Sequence, residues 1–465
     1  MKKRIVIVGG GPGGYVAAIR AAQLGADVSL VEKGKVGGTC LNRGCIPTKA
    51  ILHSIELFQA VKNGAGIGVL ADNIRIDWPA VLQHKQSIVN RLVAGVGGLL
   101  KANDVKVIQG RASLLDDKTL EVITNNEKQV LKADGIVLAV GSEPAVAPIA
   151  GVGLQGVIDS TQALELKHIP RSLLIIGGGV IGMEFAAMYK ALGTQVTVVE
   201  MQHQVLPGVD REMASALQQE LSRAGIVFYT NAKVRQFTAS TFGLTAEVEA
   251  GGEVLSLSAE YVLMAVGRKP AIAGIGIEKA GIEVKPHGIV TNAQFQTNTA
   301  GIYAIGDCNG KTMLAHAASA QGVAAVEALI GHQAVYFDHI IPACIYTNPE
   351  LATVGITEEQ AKQSGRAVKV GRFPLSGNGK ALIENNGKGM IKIIAGAQYG
   401  EILGVQILGP RATDLIAEAA LAIRLEATVE ELITTIHAHP TVSEAVAEAA
   451  LAVNELSLHW PPGLH

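Results

Sequence analysis

Residues 4–32 read RIVIVGGGPGGYVAAIRAAQLGADVSLVE, and this stretch decides the fold. Arg4–Val8 is a short β-branched run, Gly9, Gly11 and Gly14 follow as G-x-G-x-x-G, and residues 15–24 have the composition of a helix. Residues 27–31 make a second apolar run that ends in Glu32. In a dinucleotide-binding unit the glycines let the backbone approach a pyrophosphate, the helix N-terminus brings partial positive charge to it, and an acid about 20 residues on binds a ribose hydroxyl. A lone G-x-G-x-x-G carries little weight. Here strand, loop, helix, second strand and terminal acid all fall in register.

A second copy occupies residues 173–200, LLIIGGGVIGMEFAAMYKALGTQVTVVE, with Gly177, Gly179 and Gly182 in the loop and Glu200 closing the second strand. An acid there favours NAD over NADP, because it would repel a 2′-phosphate and no arginine follows to receive one. Two related phrases close the copies, LAVGSEP at 138–144 and MAVGRKP at 264–270. Two such units predict two dinucleotides and an electron relay between them. The blander alternative is one working unit and a degenerate duplicate.

The bulk properties fit this reading. At 465 residues the chain is too long for one ordinary core, and its length suggests about three domains. Aromatic residues are only 4%, so the cores are expected to be Ala, Val, Ile and Leu. The 39 basic and 41 acidic residues nearly cancel and form no long runs, which predicts neither nucleic-acid nor membrane binding. The start MKKRIVIV resembles a signal peptide, but GGGPGG cuts its apolar run short, and no apolar segment approaches the roughly 20 residues of a membrane span. A cytoplasmic protein is the expectation. Four cysteines do not make a disulfide framework, so any disulfide should be catalytic.

Two of those cysteines, Cys40 and Cys45, lie in GGTCLNRGCIPTK at 37–49, directly after the first unit. No set of four ligands at zinc spacing accompanies them, and no metal site is expected. A redox pair is the better reading, with two buried small residues as the alternative. On a regular helix residues five apart rise by about 7.5 Å, beyond the roughly 4.4–6.8 Å between Cα atoms of a disulfide. A bond would therefore require a tightened turn, which Gly44 permits. Arg43 between them either lowers a thiolate pKa or is simply solvated.

Residues 51–100 read as largely helical and 105–140 as strands. Residues 301–307, GIYAIGD, read as an apolar strand ending in Gly-Asp, whose Asp307 either binds a ribityl hydroxyl or caps a turn; MLAHAASAQG follows from Met313 and starts a helix. From about residue 338 no glycine loop recurs, and a separate α+β domain is expected. It contains HAHPTVSEAVAEAALA from His437. His439 is a candidate proton carrier at neutral pH. Thr441 and Glu444 also spell a capping box, in which Glu444 would do nothing but cap.

Taken together, GGGPGGYVAAIRAAQLG, GGTCLNRGCIPTK, GGGVIGMEFA, GIYAIGD, MLAH, YTNPELATVG and HAHPTVSE resemble the flavin-dependent pyridine nucleotide-disulfide oxidoreductases over the length of the chain. The resemblance is greatest to members that oxidise dihydrolipoyl groups with NAD. It implies an α/β chain with two Rossmann-like dinucleotide-binding domains, for FAD and NAD, and a C-terminal α+β dimerisation domain. The implied boundaries are 1–145 and 273–338 for the FAD-binding parts, 146–272 for the NAD-binding domain and 339–465 for the interface domain. Gly9, Gly11, Gly14, Glu32, Lys49 and Asp307 would bind FAD, with Ala112, Val140, Gly141, Ser142, Met313, Leu314, Ala315 and His316 lining it. Gly177, Gly179, Gly182, Glu200, Val234 and Gly267 would bind NAD, and Glu184 would pair with Lys49 near the flavin.

The resemblance further implies a Cys40–Cys45 redox disulfide, with Cys40 meeting substrate and Cys45 meeting FAD. In a homodimer His439, oriented by Glu444, would reach the partner subunit's disulfide. The implied partners are lipoyl-bearing subunits of 2-oxo acid dehydrogenase or glycine cleavage complexes. Val140 stands where many relatives have Thr, and Ala320 and Gln321 where acids are common; neither departure is expected to touch the chemistry. The alternatives are a family member acting on glutathione or mercuric ion, or a non-catalytic flavoprotein subunit of a dehydrogenase complex. Glu200 weighs against NADP users, the lack of a C-terminal cysteine pair against mercury, and an intact Cys40, Cys45, His439 and Glu444 against a non-catalytic role.

Overall fold

The computed structural model describes residues 2–125 and 127–461. The chain forms two compact units, one of residues up to 146, 159–168 and 267–336, the other of 147–158, 169–266 and 337 onward.

The first unit is built on a five-stranded parallel sheet in the order Ile302–Ala304, Gly135–Leu138, Arg4–Val8, Asp27–Glu32, Lys106–Gln109. Parallel strands need crossovers and are covered on both faces, so they read as continuous apolar runs rather than alternating ones. Ile5, Val6, Ile7 and Val8 are accordingly all buried. Helix Pro12–Gln23 lies against helix Ala315–Ile330, and the contact is made by small residues. A Cβ on Gly322 would stand 2.6 Å from the Gly13 carbonyl oxygen, so the two backbones touch. A three-stranded antiparallel sheet, Arg111–Leu114, Thr119–Thr124 and Glu127–Lys132, completes the unit.

The expected helical stretch is two helices, Cys45–Lys62 and Trp78–Ala102. Glycines break it through a 3-10 turn at Gly64–Ile67, and Asp77 restarts it by accepting the Ala80 N–H at 3.1 Å. The strand expected over 301–307 ends at Ala304; Gly306–Asn309 is a 3-10 turn, so Asp307 stands on a tight turn beyond the sheet.

The second unit repeats the plan. Its parallel sheet runs Val227–Tyr229, Gln195–Val199, Ser172–Ile176, Tyr261–Met264, Val157–Ile158, beside an antiparallel sheet of Ala232–Ser240, Gly243–Ala250 and Glu253–Ala259. The same unit holds an antiparallel sheet in the order Ala343–Ile345, Glu350–Gly355, Ile402–Gly409, Met390–Gly396, Val368–Pro374. The fold is thus mixed α/β, with an antiparallel C-terminal sheet carrying helices.

Helix Glu444–Val453 packs on that last sheet through Ala445, Ala449 and Ala450, all buried. Its backbone comes close enough that a Cβ on Gly371 would stand 2.2 Å from the Ala449 carbonyl oxygen. Alanine on one side and glycine on the other therefore fix the height of the helix that begins at Glu444. Beneath the sheet, the ammonium of Lys392, itself buried, meets Asp210 at 2.9 Å, Glu212 at 3.0 Å and Glu358 at 2.7 Å. Arg372 closes the cluster on Glu212 and Glu358. No helix among the described residues is long and apolar enough to cross a membrane.

Candidate functional site

The two glycine loops have the same construction. Gly9 and Gly177 take φ +104° and +106°, and a Cβ there would strike the carbonyl oxygens of Ala139 at 2.2 Å and Ala265 at 2.4 Å. The third glycines pack helix against strand, since a Cβ on Gly14 would lie 1.8 Å from the Gly9 oxygen and one on Gly182 2.0 Å from the Gly177 oxygen. The middle glycines differ from both. A Cβ on Gly11 would meet only the Gly38 Cα, at 3.8 Å, and one on Gly179 nothing within 4 Å. Turn, open approach and close packing are the three tasks a pyrophosphate-binding loop assigns to its glycines, so both cradles fit a dinucleotide.

Glu32 accepts the N–H groups of Gly10 and Gly34, both at 2.6 Å, and Glu200 those of Gly178 at 2.6 Å and Gln202 at 2.7 Å. Each carboxylate thus shapes its loop and stands at the strand end where a ribose would lie.

The redox segment is tied to the first loop. Gly37 donates to the Gly10 carbonyl at 2.7 Å, and a Cβ on Gly38 would fall 2.6 Å from the Gly11 Cα. Helix Gly38–Arg43 stops at Gly44 and helix Cys45–Lys62 begins beyond it, so the regular rise between the cysteines is broken where the spacing required. A Cβ on Gly44 would lie 3.0 Å from the Thr39 carbonyl oxygen.

The two cysteines are held as thiols. Hydrogen bonding to Cys45 and partial burial push the Cys40 thiol well above the ordinary thiol range, against the opposing charge of Lys49. The pair is unequal: Cys40 packs against the core that includes Tyr15, whereas Cys45 is exposed and lies within the field of Arg268.

Arg268 was not anticipated. Its Nε donates to the Ser142 hydroxyl at 2.7 Å and its Nη2 to the Ser142 carbonyl at 2.8 Å, while that hydroxyl donates to Asp307. Burial pushes the guanidinium down from its ordinary value, and Asp307 pushes it back up. Ser142 and Arg268 occupy the same slot in the phrases LAVGSEP and MAVGRKP, and the two phrases pair antiparallel, Ser142 opposite Pro270. That shared slot was the one available signal. Gln321, one of the two departures from the family pattern, lies behind the Asp307 turn. It is fully buried, and its Oε1 accepts the Gly306 N–H at 2.8 Å and Asn309 Nδ2 at 2.9 Å, so it holds the turn that presents Asp307. A neutral amide does this without burying a charge.

The remaining positions around that loop are placed as follows. Gly141 takes φ +71° with nothing near its Cβ direction, and Val140 packs at the edge of the core. Ala112 has its side chain in that core, leaving only backbone to offer a ligand. Met313 and Leu314 precede helix Ala315–Ile330, whose first turn carries Ala315 and His316. Lys49 is on helix Cys45–Lys62.

In the second unit Glu184 is buried on helix Val180–Ala191 and accepts the Tyr346 N–H at 3.1 Å. Val234 is buried beside a bulge in its strand, again offering backbone alone. Gly267, placed with the NAD set by sequence, belongs to the first compact unit and gives its carbonyl to Ala145 at 2.9 Å.

The histidine segment is braced from both ends. His437 has its ring nitrogens on Glu418 at 2.8 Å and the Thr435 carbonyl at 3.0 Å, and Asn378 donates to the Thr441 carbonyl at 3.0 Å. Between them His439 stands exposed, its Nδ1 2.9 Å from Glu444 Oε1. The expected capping box is only half formed. Helix Glu444–Val453 starts at Glu444 itself, whose Oε2 accepts the Thr441 N–H at 2.8 Å, while the Thr441 hydroxyl turns to Ala438. Partial burial raises the Glu444 carboxyl, but Thr441 and His439 outweigh it and hold it below its ordinary value. Glu444 therefore caps with one oxygen and orients an imidazole with the other.

Two dinucleotide cradles, a thiol pair on a broken helix and an oriented imidazole define a nucleotide-dependent thiol–disulfide oxidoreductase. The chain belongs to the pyridine nucleotide-disulphide oxidoreductase family, whose profile matches residues 3–322 and whose dimerisation domain matches 341–450. It is 41% identical to a dihydrolipoyl dehydrogenase of Bacillus subtilis over 98% of this chain and 99% of that one. It is 42% identical to the mitochondrial dihydrolipoyl dehydrogenase of Pisum sativum, over 98% and 92%. Among solved structures, LpdA from Mycobacterium tuberculosis superposes with a TM-score of 0.90 at 28% identity, over 96% of this chain and 99% of that one.

Proposed function

We propose that the protein oxidises protein-bound dihydrolipoyl groups to lipoyl groups and reduces NAD to NADH. The observation that carries this reading is the thiol pair across the Gly44 break, in a chain matched end to end by dihydrolipoyl dehydrogenases. FAD would be held by the loop of Gly9, Gly11 and Gly14 with Glu32, Lys49, Gly141, Ser142, Asp307 and the 313–316 turn. NAD would be held by the loop of Gly177, Gly179 and Gly182 with Glu200, and by Val234 and Gly267. Bound FAD supplies two-electron transfer between a dithiol and a nicotinamide.

In the chain's own residues, His439 Nε2 takes the proton of one substrate thiol while Glu444 steadies the resulting imidazolium. The substrate thiolate attacks the Cys40 sulfur of the Cys40–Cys45 disulfide, and Cys45 leaves as thiolate. The second substrate thiol then displaces Cys40, its proton passing to the departing sulfur. This closes the substrate disulfide and leaves Cys40 as a thiol and Cys45 as a thiolate, while the first proton stays on His439. Once both sulfurs are released, Cys45 is suited to carry the thiolate because it accepts the Cys40 hydrogen bond and lies in the field of Arg268. Glu200 favours NAD as acceptor.

The dimerisation domain supports a homodimer in which His439 serves the partner subunit's disulfide. Leu421, Leu425 and Ile436 stand exposed on the protomer, the last at 98%, which suits a covered face. Lipoyl-bearing subunits of 2-oxo acid dehydrogenase or glycine cleavage complexes, in the cytoplasm, are the partners this reading assigns. The test is a rate comparison of dihydrolipoamide with glutathione and mercuric ion, in the parent and in Cys45→Ser. Dihydrolipoamide turnover in the parent, lost in a Cys45→Ser protein that stays yellow, supports the proposal. A preference for glutathione or mercury, or full turnover by the variant, defeats it.

A further inference from the structure

Past its strand-end glutamate, each nucleotide unit continues into a segment that folds back on its own glycine loop. In the first, Glu32 accepts the Gly10 N–H at 2.6 Å and the Gly10 carbonyl accepts the Gly37 N–H at 2.7 Å. The second repeats this with Gly178, whose N–H donates to Glu200 Oε2 at 2.6 Å and whose carbonyl accepts the Leu206 N–H at 2.8 Å. The docking residue is left-handed in both, Gly37 at φ +94° and Leu206 at φ +52°. Glycine takes that conformation freely, whereas leucine is strained in it, so its surroundings must hold Leu206 there. The first segment leads to the thiols. The second leads to Asp210.

Between strand Gln195–Val199 and helix Arg211–Arg223 the chain has neither helix nor strand, so its contacts alone place it. The near end is tied at Gln202, whose N–H goes to Glu200 Oε1 at 2.7 Å and whose carbonyl accepts the Asn231 N–H at 2.9 Å. Val205 and Leu206 are buried, and a Cβ on Gly178 would stand 3.0 Å from Val205 Cγ1. From Leu206 the path to Asp210 is short. The Val209 N–H donates to the Leu206 carbonyl at 3.0 Å, and Gln204 Nε2 to the Val209 carbonyl at 3.1 Å. Asp210 is fully buried, caps helix Arg211–Arg223 and meets Lys392 at 2.9 Å. The far end of the segment is thus moored in the charged cluster under the C-terminal sheet.

We propose that residues 201–210 are a latch on the second glycine loop, and that Lys392, by mooring Asp210, is a positioning residue for the nicotinamide dinucleotide. A binding constellation works only when its groups are held to a fraction of an ångström by what surrounds them. Gly178 lies between the first two glycines of the cradle, so its peptide belongs to the surface a pyrophosphate meets. Once the mooring is cut, Leu206 relaxes out of its left-handed conformation and its N–H leaves the Gly178 carbonyl. The inference rests on the second cradle holding NAD, as proposed above.

The test separates two readouts on the holoenzyme, both taken well below the melting temperature. One is the rate of flavin reduction by dihydrolipoamide without NAD; the other is the KM for NAD in the full reaction. Lys392→Met is expected to raise that KM about tenfold, equivalent to about 1.4 kcal/mol, with flavin reduction within about twofold of the parent. Adding Asp210→Asn discharges the stranded carboxylate and recovers stability without restoring the mooring, so the KM stays raised. An unchanged KM in Lys392→Met, a KM that returns to the parent value in the double variant, or flavin reduction that falls in step with it overturns the proposal. If Lys392→Met does not fold, Asp210→Asn alone, which keeps an oxygen for the helix cap, decides by whether the KM for NAD rises while flavin reduction holds. A parent protein that reduces its flavin with dihydrolipoamide but does not reduce NAD would instead strike at the function proposed above.

Discussion

Replacing Lys392 by methionine removes the one ammonium at the centre of three carboxylates. The cluster is balanced as it stands: Asp210, Glu212 and Glu358 against Lys392, Arg372 and Lys362. Without Lys392, Asp210 stays fully buried and keeps backbone donors, Glu212 N–H at 3.1 Å, Met213 N–H at 3.4 Å and Glu358 N–H at 3.5 Å. Breaking a buried pair by removing one partner costs about 3–5 kcal/mol. Because those backbone bonds offset part of the loss, the lower end, about 3 kcal/mol, is expected. For a unit of this size that lowers the melting temperature by roughly 6–12 °C. Scanning calorimetry of the Lys392→Met holoenzyme measures it, and adding Asp210→Asn should recover part of the loss by discharging the stranded carboxylate. A melting point within 2 °C of the parent, or a double variant no more stable than the single one, would refute the reasoning.

Two further outcomes follow from the same structure. Gly14→Ala and Gly182→Ala each place a methyl at about 2 Å from a carbonyl oxygen. The first should abolish flavin absorbance; the second should keep the protein yellow but strip it of NAD reduction, and the reverse pattern would reassign the two cradles. Acid should also undo the buried cluster. Burial pushes the Glu358 carboxyl up, but bonds from Lys362 and Lys392 and the nearby charges bring it down to about 2. A depressed folded value means stability that is complete above the unfolded value near 4.5 and lost as pH falls through about 2. Melting temperatures between pH 7 and 2 should drop less steeply in Glu358→Gln than in the parent.

The sequence is most legible where function is local. Gly9, Gly14 and Glu32 act within one strand–loop–helix–strand unit, so spacing alone exposes them, and the same holds for Gly177, Gly182 and Glu200. The break at Gly44 follows from helix rise and sulfur chemistry. Arg268 does not, because Ser142 is 126 residues away and their pairing depends on a two-stranded contact no local pattern announces. In sequence Gln321 reads only as a departure from an acid that leaves the chemistry untouched, and its hold on the Asp307 turn shows only in three dimensions. Its value lies in three-dimensional placement, where a fully buried amide holds the turn and an acid would bury a charge. Thr441 and Glu444 show the opposite error, a local motif read correctly in composition but shifted in register by where the helix starts.

The short ladder joining Ser142–Pro144 to Arg268–Pro270 marks where the chain leaves the first unit and where it re-enters. This exit and this return are neighbours within the first unit, although the chain crosses between the units again around 159–168 and after Tyr336. An exchange of the intervening residues would leave the flavin-side strands and the thiol helix uncut. It would have to keep residues 159–168, whose Leu166 and Leu164 carbonyls accept from Trp78 and Lys85, and Asp210 and Glu212 for Lys392. Ser142 and Arg268 form a clasp that any such replacement must also keep.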